Sequence, residues 1–123
     1  MKTIETKKAP AAIGPYSQAI LKDNLLFLSG QIGLNPATGE MEPTFELQAR
    51  RVFTNLQAVL EAAEMSFRNV VKSTVFLKDM NHFGEMNAIY DQFVKPPYPA
   101  RETIQAARLP KDAFIEVSLV AMK

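Results

Sequence analysis

The chain has 123 residues, with 14 basic against 13 acidic side chains, one histidine and no cysteine. This composition excludes a thiol nucleophile, a thiolate metal centre and a multi-histidine metal site, and its near-balanced charge argues against a nucleic-acid surface. No apolar run approaches the ~20 residues of a membrane span, and Met1 to Lys8 lacks a signal-peptide core, so the expected location is the cytosol.

Lys2 to Glu5 reads as a weak first strand. Ser17 to Lys22 and Leu25 to Ser29 are separated by Asp23-Asn24, a two-residue turn signal, and read as a hairpin. Gly30 to Gly39 reads as loop, with Gly30, Gly33 and Gly39 as turn glycines. Residues 44–64 form the clearest helix. Phe45, Ala49, Val52, Phe53, Leu56, Val59, Leu60 and Ala63 make one apolar stripe. Glu46, Gln48, Arg50, Arg51, Asn55 and Glu61 make its polar back, and Thr44 is the expected N-cap.

Val70 to Lys78 is rich in β-branched residues and reads as a strand. Phe83, Met86, Tyr90, Phe93 and Val94 mark a second amphipathic helix, opened by Asp79 or Asn81 and ended before Pro96-Pro97. The last two strands run from about Arg101 to Ala107 and from Ala113 to Met122. With no repeats or linkers, the chain reads as one domain, residues 1–123. It is an α+β layer with both helices on one face of a mixed sheet.

Alternation assigns the strand faces. In the last strand Ile115, Val117, Leu119 and Ala121 turn to the helices, leaving Glu116 on the other face. In the strand before it, Ile104 and Ala106 are expected on the helix side, so Arg101, Thr103 and Gln105 share the second face with Glu116. That second face is mixed, and its apolar part calls for cover by another subunit.

Several residues stand out for chemistry. Arg101 is either a surface arginine paired with Glu102 or a planar fork for a small carboxylate, which lysine cannot copy. Glu116 lies in the most strand-like run of the chain. It is either an intersubunit ion-pair partner or a general base tuned by partial burial. Tyr16, fixed by Gly14-Pro15, is a buried aromatic or a phenol at a pocket mouth. Gly30 and Gly33 also allow a ligand to approach the backbone closely. Asn87 lies on the apolar side of the second helix and needs a hydrogen-bond partner. His82 reads as a surface or capping residue.

Four blocks in order carry a wider resemblance: Ala12-Ile13-Gly14-Pro15-Tyr16-Ser17-Gln18-Ala19; Phe27 to Gly33 with Asn35 to Gly39; Phe83 to Phe93; and Tyr98-Pro99-Ala100-Arg101 through Leu109-Pro110 to Ile115-Glu116-Val117. Together they resemble the Rid family, the YjgF-like reactive-intermediate deaminases. The resemblance implies a chorismate-mutase-like α+β fold, a homotrimer and three clefts between subunits. It implies hydrolysis of 2-imino acids and their enamine tautomers, released by pyridoxal-phosphate enzymes such as threonine and serine dehydratases, to 2-keto acids and ammonia. Neither metal nor cofactor is implied. Carried over by position, Arg101 binds the substrate carboxylate, Glu116 orients or activates water, and the Thr103 backbone N–H meets the reacting end. Tyr16, Ser29, Gly30 and Asn87 line the cleft. Some members carry cysteine where Thr103 stands. A non-catalytic binder of 2-keto acids using the same cleft is the first alternative. RNA or protein interaction, proposed within the family as RNA cleavage, translation inhibition or chaperone-like activity, is the second.

Overall fold

Alternating burial along the last strand sets the architecture. In the computed structural model, which describes residues 1–123, Ile115, Val117, Leu119 and Ala121 are all buried while Glu116, Ser118 and Val120 are half-exposed. This strand, β6 (Ile115–Met122), lies inside a six-stranded sheet with β1 (Lys2–Ile4), β2 (Ala19–Lys22), β3 (Leu25–Ile32), β4 (Val70–Leu77) and β5 (Ala100–Gln105). The order is β1-β2-β3-β6-β4-β5. Every pairing is antiparallel except that of β4 with β5.

Helix α1 (Phe45–Ala62) links β3 to β4, and α2 (Phe83–Phe93) makes the crossover that the parallel β4–β5 pair requires. Val52, Phe53, Leu56 and Leu60 of α1 and Met86, Ile89 and Tyr90 of α2 pack with Leu26, Leu28, Val75, Leu77 and the buried set of β6 in one core. Both helices therefore cover one face, as the two apolar stripes predict. Thr44 caps α1, its hydroxyl accepting from Leu47 N–H at 3.2 Å. The predicted hairpin is present, with Lys22 opposite Leu25 and Asp23 in the left-handed region.

Three expectations are corrected. Gly30-Gln31-Ile32 is strand, not loop: β3 continues past a bulge in which Ser29 and Gly30 together oppose Ser118 of β6. The bulge lets a glycine stay in the ladder and turns the end of β3 toward Glu116. Next, Gln48 and Asn55 are buried, not on a polar back. Gln48 donates to Glu42 C=O at 2.9 Å and accepts from Phe114 N–H at 2.8 Å, while Asn55 donates to Leu34 C=O at 2.9 Å. Both tie the 33–42 turn and the start of β6 to α1, which single-helix periodicity cannot anticipate.

The third correction bears on function. Arg101, Thr103 and Gln105 lie on the helix side of the sheet, and Ile104 lies on the open side. Arg101 pairs in register with Ser73 and Thr103 with Val75, both on the buried helix face of β4. Ile104 pairs with Phe76, which pairs in turn with Glu116 on the open face. Ala106 lies beyond the end of the strand. β5 is an edge strand with a mixed pattern, and its parallel register with β4, not its own hydrophobicity, chooses its faces. The open face carries Phe27, Ile104 and Met122, each more than two-fifths exposed, beside Thr74, Ser118 and the Lys72–Glu102 ion pair at 2.6 Å. No helix is long and apolar enough to cross a membrane.

Candidate functional site

Six of the seven predicted site residues, all but Thr103, line two cavities on opposite sides of the sheet. The first, of about 520 Å³, lies beside α2 and is lined by Asn87, Ala88, Tyr90, Asp91, Tyr98, Pro99 and Arg101. Arg101 enters no salt bridge, and Glu102 pairs with Lys72 instead. Its guanidinium carbon lies over the Tyr90 ring, 4.8 Å from the centroid, and 5.8 Å from that of Phe83. A cation over an aromatic face gains ~0.5–2 kcal/mol. A carboxylate would hold Arg101 more tightly but would consume its N–H edge; a ring holds the face and leaves that edge free for a planar anion.

Tyr90 is fixed in turn. Its hydroxyl shares a buried 2.8 Å hydrogen bond with Ser73, the strand partner of Arg101. Its ring meets Phe53 edge-on at 5.6 Å. In the sequence Tyr90, Phe83 and Ser73 read only as parts of an apolar stripe and a strand. A tyrosine in such a stripe was the available signal, because a buried hydroxyl must find a partner. Asn87 is half-buried on the same helix. Thr103, two residues after Arg101 on this side, has a buried hydroxyl without a partner.

The second cavity, of about 590 Å³, brings together Tyr16, Ser29, Gly30 and Glu116, with Lys111 as the one basic residue of its wall. Burial pushes the Glu116 carboxyl above the usual carboxylate range. Gly30 is needed here for space: a Cβ at this position would stand 2.8 Å from the Glu116 carboxyl carbon and oxygen. Ser29 donates to Ser17 C=O at 2.6 Å, tying the bulge to the segment that carries Tyr16, which is about half exposed. Lys111 and Asp112 both adopt φ of 54°, in the turn that feeds β6.

His82 is neither exposed nor a side-chain cap. It stacks on Phe45 at 4.2 Å, and Asp79 caps the preceding turn by accepting from Asn81 N–H at 2.9 Å. No group of three or more His, Cys, Asp or Glu side chains is placed to hold a metal ion.

Fold and cavities together define a small α+β protein with an arginine free of salt bridges beside a cavity on one sheet face and a half-buried carboxyl with raised proton affinity on the other. The family model described as Endoribonuclease L-PSP matches residues 6–123, and the chain belongs to this family, also called YjgF or Rid. A RutC family protein of Pasteurella multocida is 48% identical over 126 residues, covering 99% of this chain and 98% of that protein. The 2-iminobutanoate/2-iminopropanoate deaminase of Escherichia coli is 45% identical over 125 residues, covering 99% and 98%. The structure of E. coli TdcF with bound serine superposes with a TM-score of 0.95 at 41% identity, covering 100% of this chain and 99% of that one.

Proposed function

We propose that this protein hydrolyses 2-imino acids and their enamine tautomers to 2-keto acids and ammonia, in clefts completed between subunits of a homotrimer. The observation that carries the reading is Arg101: a guanidinium with no acidic partner, lying over the Tyr90 ring in the wall of a cavity. A guanidinium edge suits the substrate carboxylate through two parallel hydrogen bonds. A relative named for this deamination supports the reaction class.

Arg101 and Glu116 lie on opposite faces, so one chain supplies two half-sites. A neighbouring copy on the open sheet face would bring its Arg101, Asn87 and Thr103 against Glu116, Gly30, Ser29 and Tyr16. Water bound at Glu116 then attacks C2 of the iminium, and the C=N electron pair moves to nitrogen. Glu116 takes the proton from water and returns it to nitrogen. Glu116, again a base, takes the proton of the C2 hydroxyl as the C–N bond breaks, so the 2-keto acid forms and ammonia leaves. No covalent nucleophile is needed; the gain comes from orientation and proton transfer.

The test is hydrolysis of 2-iminobutanoate, generated in situ by a threonine dehydratase. Wild type should exceed the spontaneous rate, and Arg101→Ala and Glu116→Gln should each lose the excess. Subunits of the two variants, mixed and reassembled, should recover about one-quarter of wild-type activity, because about one interface in four then joins two intact halves. No recovery would sink the shared cleft; no wild-type acceleration would sink the reaction.

The serine bound to TdcF favours a second reading, a binder of small carboxylates. A binder keeps ligand affinity in Glu116→Gln and has no rate to lose. The description of the family as an endoribonuclease is a third reading, set against a net charge of +1; RNA binding that persists near 200 mM salt would support it.

A further inference from the structure

The Arg101 cavity contains a carboxylate of its own. Asp91 lines it together with Arg101, one residue along α2 from the Tyr90 ring on which the guanidinium rests. An aspartate in such a place competes for any arginine it can reach, and an Arg–Asp pair would close the edge that a ligand carboxylate must use. Arg101 nevertheless makes no salt bridge. The Tyr98 hydroxyl, in the same cavity wall, instead donates to Asp91 Oδ1 at 2.5 Å.

We infer that Tyr98 is a positioning residue that occupies Asp91 and so keeps the Arg101 guanidinium open to a ligand carboxylate. The inference rests on the reading of Arg101 as a carboxylate holder. Several observations converge on it. Tyr98 and Asp91 close the same wall, one on the segment leading into β5 and the other on α2. Lys95 does not neutralise the Asp91 carboxylate; its ammonium is spent on the Asp91 backbone C=O at 2.6 Å. The bond to Asp91 also raises the proton affinity of the Tyr98 phenol. The arrangement divides the work between two tyrosines. Tyr90 lies under the Arg101 guanidinium, and Tyr98 occupies the nearby competitor for its N–H groups.

The test is a double-mutant cycle on the intact protein, with 2-oxobutanoate as a non-reacting carboxylate probe followed by calorimetry and by the Arg101 Nε–Hε NMR signal. Tyr98→Phe should weaken 2-oxobutanoate binding about three- to fivefold, the scale of an exposed ion pair that must first be broken. In the ligand-free variant the Nε–Hε signal should move downfield as Arg101 engages Asp91. Adding Asp91→Asn to Tyr98→Phe should restore both affinity and signal, which a merely structural role for Tyr98 would not allow. An unchanged affinity in Tyr98→Phe, or a loss that Asp91→Asn fails to restore, would overturn the inference while leaving Arg101 as the carboxylate holder. Absence of binding by wild type would overturn both.

Discussion

Arg101 and Glu116 leave the same sheet from opposite faces, although only β4 separates their strands. The two groups best suited to hold a carboxylate and to move a proton therefore cannot meet within one chain. This relationship turns subunit association from a matter of stability into a requirement of the proposed reaction.

Arg101→Lys keeps the positive charge but loses the planar fork. We expect the variant to fold normally and to bind 2-oxobutanoate about tenfold more weakly, the scale of one lost charge-assisted hydrogen bond. Calorimetric titration of wild type and variant side by side measures this. Equal affinities would show that charge alone is used.

Two glycines near the cavity should respond differently to alanine. At Gly30 the new Cβ meets the end of the Glu116 side chain, which can swing away. Gly30→Ala should fold with a loss of about 1 kcal/mol or less while displacing the carboxyl and cutting hydrolysis at least tenfold. At Gly33 the Cβ would stand 2.6 Å from Gln48 Cα, which is helix backbone and cannot yield. Gly33→Ala should cost about 1–3 kcal/mol in denaturant unfolding.

Burial raises the proton affinity of Glu116 in the folded state. Between its unfolded and folded pKa the native chain binds more protons than the unfolded one, so stability falls as pH rises through that window. Below the ordinary glutamate range this contribution is fully present, and it is lost as pH rises through the folded-state pKa. Glu116→Gln should flatten this fall, so its stability relative to wild type rises with pH, as urea titrations at several pH values would record. The acid limb of the hydrolysis rate should sit above the usual glutamate range in wild type and disappear in the variant.

Tyr90→Phe keeps the ring under Arg101 but strands the Ser73 hydroxyl in a site with no water access. The cost should be about 1–3 kcal/mol, with carboxylate binding largely retained. Adding Ser73→Ala removes the orphan and should recover most of that stability, because replacing both partners is far cheaper than removing one. Recovery below half of the loss would mean that Tyr90 contributes through packing instead.

Much of this protein was legible before folding. Thr44 announces α1, the alternation from Ile115 to Ala121 gives the helix face of β6, and Glu116 falls on the open face as that alternation requires. These signals are local: a cap spans three residues and a strand has a period of two, so each is complete within its own segment. The family resemblance rests on the same local blocks.

What only the tertiary structure decided is which segments share a side. Arg101-Glu102-Thr103-Ile104-Gln105 offers both faces a similar mixture, and the parallel register with β4 places Ile104 outward and Arg101 against α2. The bulge at Ser29-Gly30, the burial of Gln48 and Asn55, and the pairing of Tyr98 with Asp91 belong to the same class. Each depends on a partner distant in the chain or around a turn, and side-chain identity alone does not specify a partner. Residue types thus determined the chemistry available to this protein, while strand register and helix docking decided where it is presented, because a one-residue choice of register exchanges the two faces of a sheet.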